Sequence, residues 1–266
     1  MKHIKPYKIF ESASPGPNFP TTKEGVIEVC ERHIIKNYTI NDDLSIDVNG
    51  DVNLAYKNLE HLPLKFNYVS GDFYCNNNEL KTLEGCPQTV NGVFSCHHNQ
   101  LKTLEGCPQT LDGDFNCSEN KLKTLEGSPQ TVGGYFACYD SGLKTLKGSP
   151  QTVGGTFNCS YNELKTLEGS PQTVNGNFFC FGNELKDLEY FPEVSGIIDL
   201  KFNLVNLLVY TFIQNADSFM IEDFNDYEIV RNRDTVMLDR LQTFIKDNDL
   251  EMPDLEEIKK EYKIIE

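Results

Sequence analysis

The chain has 266 residues, 39% of them hydrophobic, and its 40 acidic against 24 basic side chains leave a net charge of -16. A field of that sign repels polyanions and no long basic run offsets it, so binding to nucleic acid through phosphates is not expected. No apolar stretch approaches the roughly 20 residues that span a bilayer, so no membrane segment is expected either.

The opening "MKHIKPYKIF" has a charged start but lacks the apolar stretch of a secretory leader. With Pro6, Pro15, Pro17 and Pro20, residues 1–21 read as a flexible arm. In "TTKEGVIEVCERHIIKNY", Thr22 stands as an N-cap, and Val26, Ile27, Cys30 and Ile34 recur at helical spacing. A helix over about 22–36 is predicted, inside an N-terminal cap of residues 22–47.

From residue 48 to 208 one unit recurs every 21 residues, as in "LKTLEGCPQTVNGVFSCHHNQ" followed by "LKTLEGCPQTLDGDFNCSEN". A fixed short period is the mark of a solenoid. Val, Gly, Phe and Cys alternate with variable residues, which predicts one strand per unit with its constant face inward. Phe73, Phe94, Phe115, Phe136, Phe157 and Phe178 form one inward column, and Cys75, Cys96, Cys117, Cys138, Cys159 and Cys180 the next. Leu80, Leu83 and their equivalents complete the core. Asn78, Asn99, Asn120, Asn162 and Asn183 end the strands, where an amide among buried neighbours must be hydrogen-bonded. Ser141 takes this place in one unit. Gly-x-Pro then turns the chain into its return path. Weaker copies over 48–62 and, after deletion of one residue, from Val194 onward bring the count to eight strands.

Nine cysteines, an odd number without any C-x-x-C, predict free thiols in a reducing compartment. Cys86 and Cys107, equivalent in adjacent units, leave a disulfide as the lesser alternative. Beyond Leu208 the period is lost. "LLVYTFI", "DTVMLDRLQTFIKDN" and "PDLEEIKKEYKII" predict helical pieces, with Met237, Leu238, Leu241, Phe244 and Ile245 on one apolar face. Residues 209–266 are therefore expected to be an acidic helical cap or a small module.

The run C-x-x-N-x-L-x-x-L after a short strand resembles the leucine-rich repeat, and the short unit with Pro in its return path resembles the bacterial type. "YTINDDLSIDVNGDVNLAYKNLEHLPLKFNYVSGDFYCNNN" further resembles leucine-rich repeat proteins encoded by large tailed bacteriophages. The resemblance covers about residues 38–208. It implies an α/β solenoid, a curved parallel β-sheet with helical caps at both ends, that binds another macromolecule on its concave face without catalysis. The expected partner is then a host or phage protein met in the host cytoplasm, with no cofactor and the oligomeric state open. One alternative is a virion structural or decoration protein attached through its termini. A third, ranked last, is the substrate-recognition arm of an enzyme, because residues 209–266 contain neither Cys nor His.

Units differ most at the outward strand positions. The partner site is expected around the aromatics there: Tyr135, Tyr139, Phe179 and Phe181, with Tyr74 and His97 toward the N-terminal side. Cys96-His97-His98 is not expected to hold a metal or a nucleophile, since alternation turns Cys96 inward and His97 outward. Asp51, Asn53, Asp72, Asn76, Asp114 and Asn116 supply oxygens too flatly for calcium and read as solvated surface. The Lys81-type row is expected to be neutralised by the Glu84-type row. Ser141, Gly142 and Lys147, which depart together in one unit, read as ordinary drift.

Overall fold

The computed structural model describes residues 17–185, 188–200, 203, 227, 229–231, 235–259 and 263–266. Residues 1–16 of the predicted arm over 1–21, the Leu208 position and "LLVYTFI" lie outside the described residues.

The units wind into a parallel β-solenoid of about seven turns. Each turn carries two short strands, in two different sheets. Sheet A stacks Ile46–Val48, Phe66–Val69, Thr89–Val90, Thr110–Leu111, Thr131–Val132, Thr152–Val153, Thr173–Val174 and Glu193–Val194. Sheet B stacks the eight strands Val52–Asn53, Phe73–Tyr74, Phe94–Ser95, Phe115–Asn116, Phe136–Ala137, Phe157–Asn158, Phe178–Phe179 and Ile198–Asp199. Neighbours pair in register at one unit's separation, for instance Phe136 with Phe157 and Val132 with Val153. The last turn pairs Val174 with Val194, one residue short, as the deletion requires.

The predicted single strand from Val to Cys is therefore two strands with a corner at the intervening Gly. A Cβ at Gly113 or Gly176 would overlap the carbonyl of the preceding unit's Gly92 or Gly155. Only glycine lets successive coils cross so closely, and there the chain turns from sheet A into sheet B. The turn leaves a backbone N–H that the preceding coil must satisfy. Asp51 Oδ1 accepts from Asp72 N at 2.9 Å, Asp72 Oδ1 from Val93 N at 2.8 Å and Asp114 Oδ1 from Tyr135 N at 2.7 Å. These carboxylates are thus corner acceptors rather than plain solvated surface.

Val, Phe, Cys and both Leu columns fill the space between the sheets. The six phenylalanines stack with ring centroids 5.2 to 5.8 Å apart, and Phe66 and Phe191 close the two ends edge-on at 5.0 and 5.2 Å. The Asn residues lock the third side. Asn99 Nδ2 donates to the carbonyls of Cys75 and Cys96, each at 3.0 Å, and its Oδ1 accepts from Leu80 N at 2.9 Å. Asn78, Asn120, Asn162, Asn183 and Asn203 repeat this pattern. Just before Asn78, Asn99, Asn120, Ser141, Asn162 and Asn183 stand left-handed residues: Asn77, His98, Glu119, Asp140, Tyr161 and Gly182. A second left-handed row, Gly85, Gly106, Gly127, Gly148 and Gly169, starts the return path, and Tyr190 replaces glycine there with φ 63°. A non-glycine residue in this region costs about 1 kcal/mol or more. Tyr190 is largely exposed, so Tyr190→Gly should raise stability by about 1 kcal/mol, read as a higher urea midpoint.

The N-terminal helix α1 spans Lys23–His33, with Thr22 Oγ1 accepting from Gly25 N at 3.1 Å as the sequence predicts. Val26 and Cys30 face the core, but Ile27 and Ile34 do not. Ile34 ends the helix in a left-handed cap, exposed, and Ile35 is buried in its stead. The helix is followed by Tyr38–Ile40, antiparallel to Ile46–Val48, which covers the first edge of sheet A.

The C-terminal region is not all helical. Val230–Arg231, Thr235–Met237 and Lys263–Ile265 form a mixed three-stranded sheet, with helices α2 (Leu238–Asp247) and α3 (Leu255–Lys259) between the last two strands. Thr235–Met237 pairs in register with Lys263–Ile265, and this pairing overrides the helical reading of the ends of both segments. Leu241, Phe244 and Ile245 are buried, whereas Met237 and Leu238 are only half-buried.

Candidate functional face

Two surfaces run the length of the solenoid and differ in kind. On sheet A the outward residue is the same in five successive units, Thr89, Thr110, Thr131, Thr152 and Thr173, flanked by a matching row of glutamines from Gln88 to Gln172. On sheet B the outward positions change from unit to unit. They form three columns: one at the corner, one on the strands, and one where the ladder runs on past the strands through bonds such as Cys96 N to Asn116 O.

All six aromatic candidates lie half-buried on this side. Tyr135 is in the corner column, Tyr74 and Phe179 are on the strands, and His97, Tyr139 and Phe181 share the third column. The structure links Tyr135 toward Phe179 through Asn158, which donates to the Tyr135 hydroxyl at 3.1 Å and pairs in register with Phe179. Tyr74 lies at the other end of the sheet, five strands from Phe179. The face is therefore an extended stripe rather than one cluster.

The polar tips are tied down locally. The Tyr74 hydroxyl donates to Asp72 at 2.8 Å, and that bond foremost, with burial and the charges of Asp51 and Asp114, pushes its pKa up to about 12. Burial raises Tyr135 and Tyr139, and Glu119, 3.4 Å from the Tyr139 hydroxyl, adds to the latter. His97 is held between Ser95 (2.8 Å) and Asn77 (3.3 Å), and burial pulls its pKa below the usual imidazole value against the pull of Glu119. These side chains are preorganised on the surface, and none is poised as an acid or base against a second reactive group.

Tyr161 escaped the sequence reading. It is 57% exposed and meets Phe181 edge-on, with ring centroids 4.9 Å apart. It sits in the left-handed row, whose residues turn away from the core, and its ring covers Gly182 of the next unit, where a Cβ would lie 2.7 Å from it. The available signal was one aromatic in an otherwise polar or glycine position.

All nine cysteines are buried and unbridged, so Cys86 and Cys107 form no disulfide. Burial holds Cys96, Cys117, Cys138 and Cys159 well above the usual thiol range, which leaves no nucleophilic thiolate among them. Cys96 points inward and His97 outward, as alternation predicts. No group of three His, Cys, Asp or Glu side chains able to hold a metal occurs among the described residues. No described helix is long and apolar enough to cross a membrane. Lys144 and Lys165 pair with Glu163 and Glu184 of the next unit, at 3.5 and 3.7 Å, rather than with the Glu row three residues on. Lys147 does contact that row, at Glu126, 3.0 Å away. All these pairs are exposed and contribute about 0–1 kcal/mol each.

No protein-family model, curated protein or solved structure matches the chain.

Proposed function

We propose that the chain is a non-enzymatic scaffold of leucine-rich repeat type, phage-encoded and acting in the host cytoplasm, that binds a protein partner through the outward face of sheet B. In a leucine-rich repeat this is the concave face. One observation carries the reading: the units keep one surface constant over five turns and diversify the other, where they place half-buried aromatics. Partly exposed Tyr and Phe held in fixed rotamers lose little entropy on binding and anchor interfaces well.

The test is the double variant Tyr135→Ser with Phe179→Ser. Both side chains lie outside the inward columns, so the circular dichroism spectrum and melting temperature should change little. Capture from infected-host lysate should lose the partner that wild type holds, with affinity down at least tenfold, about 1.4 kcal/mol. Equal capture by both proteins would sink the site.

A further inference from the structure

The outward side of sheet B carries charge of one sign. From Asp51 to Gly182 its three columns, with the left-handed row beside them, hold five carboxylates: Asp51, Asp72, Asp114, Glu119 and Asp140. They hold no lysine or arginine. The lysine row of the same coils, Lys81 to Lys165, stands beyond the amide row. The charges that raise the Tyr74 pKa are accordingly all carboxylates, those of Asp72, Asp51 and Asp114.

The corner does not call for those charges. It needs an acceptor for the N–H of the following coil, and later coils supply it with neutral groups. Thr156 Oγ1 accepts from Asn177 N at 3.3 Å, and Asn177 Oδ1 from Ile197 N at 2.8 Å. At 51, 72 and 114 one carboxylate oxygen makes the same bond. The second oxygen of Asp72 takes the Tyr74 hydroxyl, and those of Asp51 and Asp114 accept no bond from the described residues. Asp51 is exposed, and Asp72 and Asp114 are half-buried. Like charges on neighbouring strands disfavour the fold, so the carboxylates cost stability that Asn or Thr would spare. Asn76, two residues beyond Tyr74 on the same side, is 7% exposed, and its Oδ1 has no partner among the described residues. An amide oxygen only accepts, so here too a donor is what is missing. Beside Tyr139 the carboxylates of Glu119 and Asp140 stand in neighbouring coils, with His98, 3.1 Å from Glu119, as the near basic group.

We propose that this face takes an arginine-rich segment of a partner protein, with guanidinium groups laid over the Tyr74 and Tyr139 rings and paired with the carboxylates around them. The inference rests on the protein-binding reading above and names the chemistry of the partner. A guanidinium is planar, always charged and weakly hydrated, so it stacks on an aromatic face while its N–H groups fork onto a carboxylate. An ammonium makes the ion pair but fits the ring and the fork less well. The half-buried tyrosines bounded by Asp51, Asp72 and Asp114 at one end, and by Glu119 and Asp140 further along, offer both elements together. A partner presenting phosphates would be repelled.

The probe is a fluorescein-labelled peptide of Arg-Gly-Ser triplets, titrated by anisotropy against the full chain, with a Lys-Gly-Ser peptide of equal charge as comparison. Saturable binding is expected, tighter for the arginine peptide. Asp72→Asn with Asp114→Asn should weaken it about tenfold. Both corners keep an acceptor, as at Asn177, so the melting temperature should stay close to wild type. Glu84→Gln with Glu105→Gln removes the same charge from the exposed row past the lysines and should change binding less than about twofold. Tyr74→Leu should cost about threefold. Equal weakening by the two double variants would reduce the effect to overall charge and overturn the proposal. So would equal affinity for the lysine peptide, or indifference to Asp72→Asn with Asp114→Asn. If neither peptide binds while the Tyr135/Phe179 variant still loses its captured partner, the basic class falls and the protein-binding face stands. If that variant also captures normally, both fall.

Discussion

Replacing Asn99 by Ala should destabilise the protein by about 3–5 kcal/mol. The amide is 8% exposed, and its oxygen accepts from Leu80 N at 2.9 Å. Without it that donor is buried with nothing to bond, which alone costs about 1–3 kcal/mol. The Cys75 and Cys96 carbonyls suffer less, because Asn78 and Asn120 also donate to them. Loss of those two bonds and of the side-chain volume supplies the remainder. Asn99→Asp should be no better, since a carboxylate cannot donate to either carbonyl and places a charge in the core. Ser141 shows the intermediate case within the same molecule. Its hydroxyl reaches Cys117 O at only 3.5 Å and accepts from Asn120 N at 3.4 Å, and Gly142 beside it adopts φ 74° where the other units keep negative values. Ser141→Asn should therefore move stability the opposite way, by about +1 kcal/mol. Urea unfolding of the three variants reads all these signs; a neutral Asn99→Ala would mean the amide row is ornamental.

The inward half of this architecture was legible because it obeys one short rule repeated many times. Each Phe, Cys and Leu column is a set of equivalent letters 21 residues apart, and a fault in one copy is outvoted by the others. The corner at the glycine shows the limit of that rule. Val-x-Gly-x-Phe alternates as a strand does, and only the close approach of Gly92 to Gly113 forces the chain to change sheets. Contact between coils does not appear in a single unit's pattern. The same holds for the carboxylates: Asp72 reads as surface until the N–H of Val93 is found waiting for it. At the C-terminal end no repetition helps, so a strand at Lys263–Ile265 passed as the tail of a helix. The candidate face was legible as a set of outward positions, and the six aromatics do lie on it. Its finer order was not. The edge-on pairing of Tyr161 with Phe181 depends on which side chain covers which neighbour.

Gly113→Ala should cost at least about 3 kcal/mol, although its backbone angles suit any residue. The added Cβ would lie 2.6 Å from the Gly92 carbonyl carbon and 3.1 Å from Val93 N, and closer still to the Gly92 oxygen. Every one of these atoms is backbone, so no side chain can swing aside. Relief requires the two coils to separate at the corner. There glycine N–H groups bond the carbonyl of the glycine one unit back, as Gly134 does to Gly113 at 3.1 Å. The corner joins both sheets, so separation loosens the ladders on either side of it and weakens the contact of Phe94 with Phe115, now 5.6 Å between centroids. Gly50→Ala is the informative control. Gly50 has φ 136°, unfavourable for alanine, but nothing lies within 4 Å of its Cβ position because no earlier coil stacks there. It should lose only about 1 kcal/mol. A large loss at Gly113 with a small one at Gly50 assigns the corner glycines to coil-to-coil approach. The reverse order would assign them to backbone conformation, and the two-sheet corner would then need another cause.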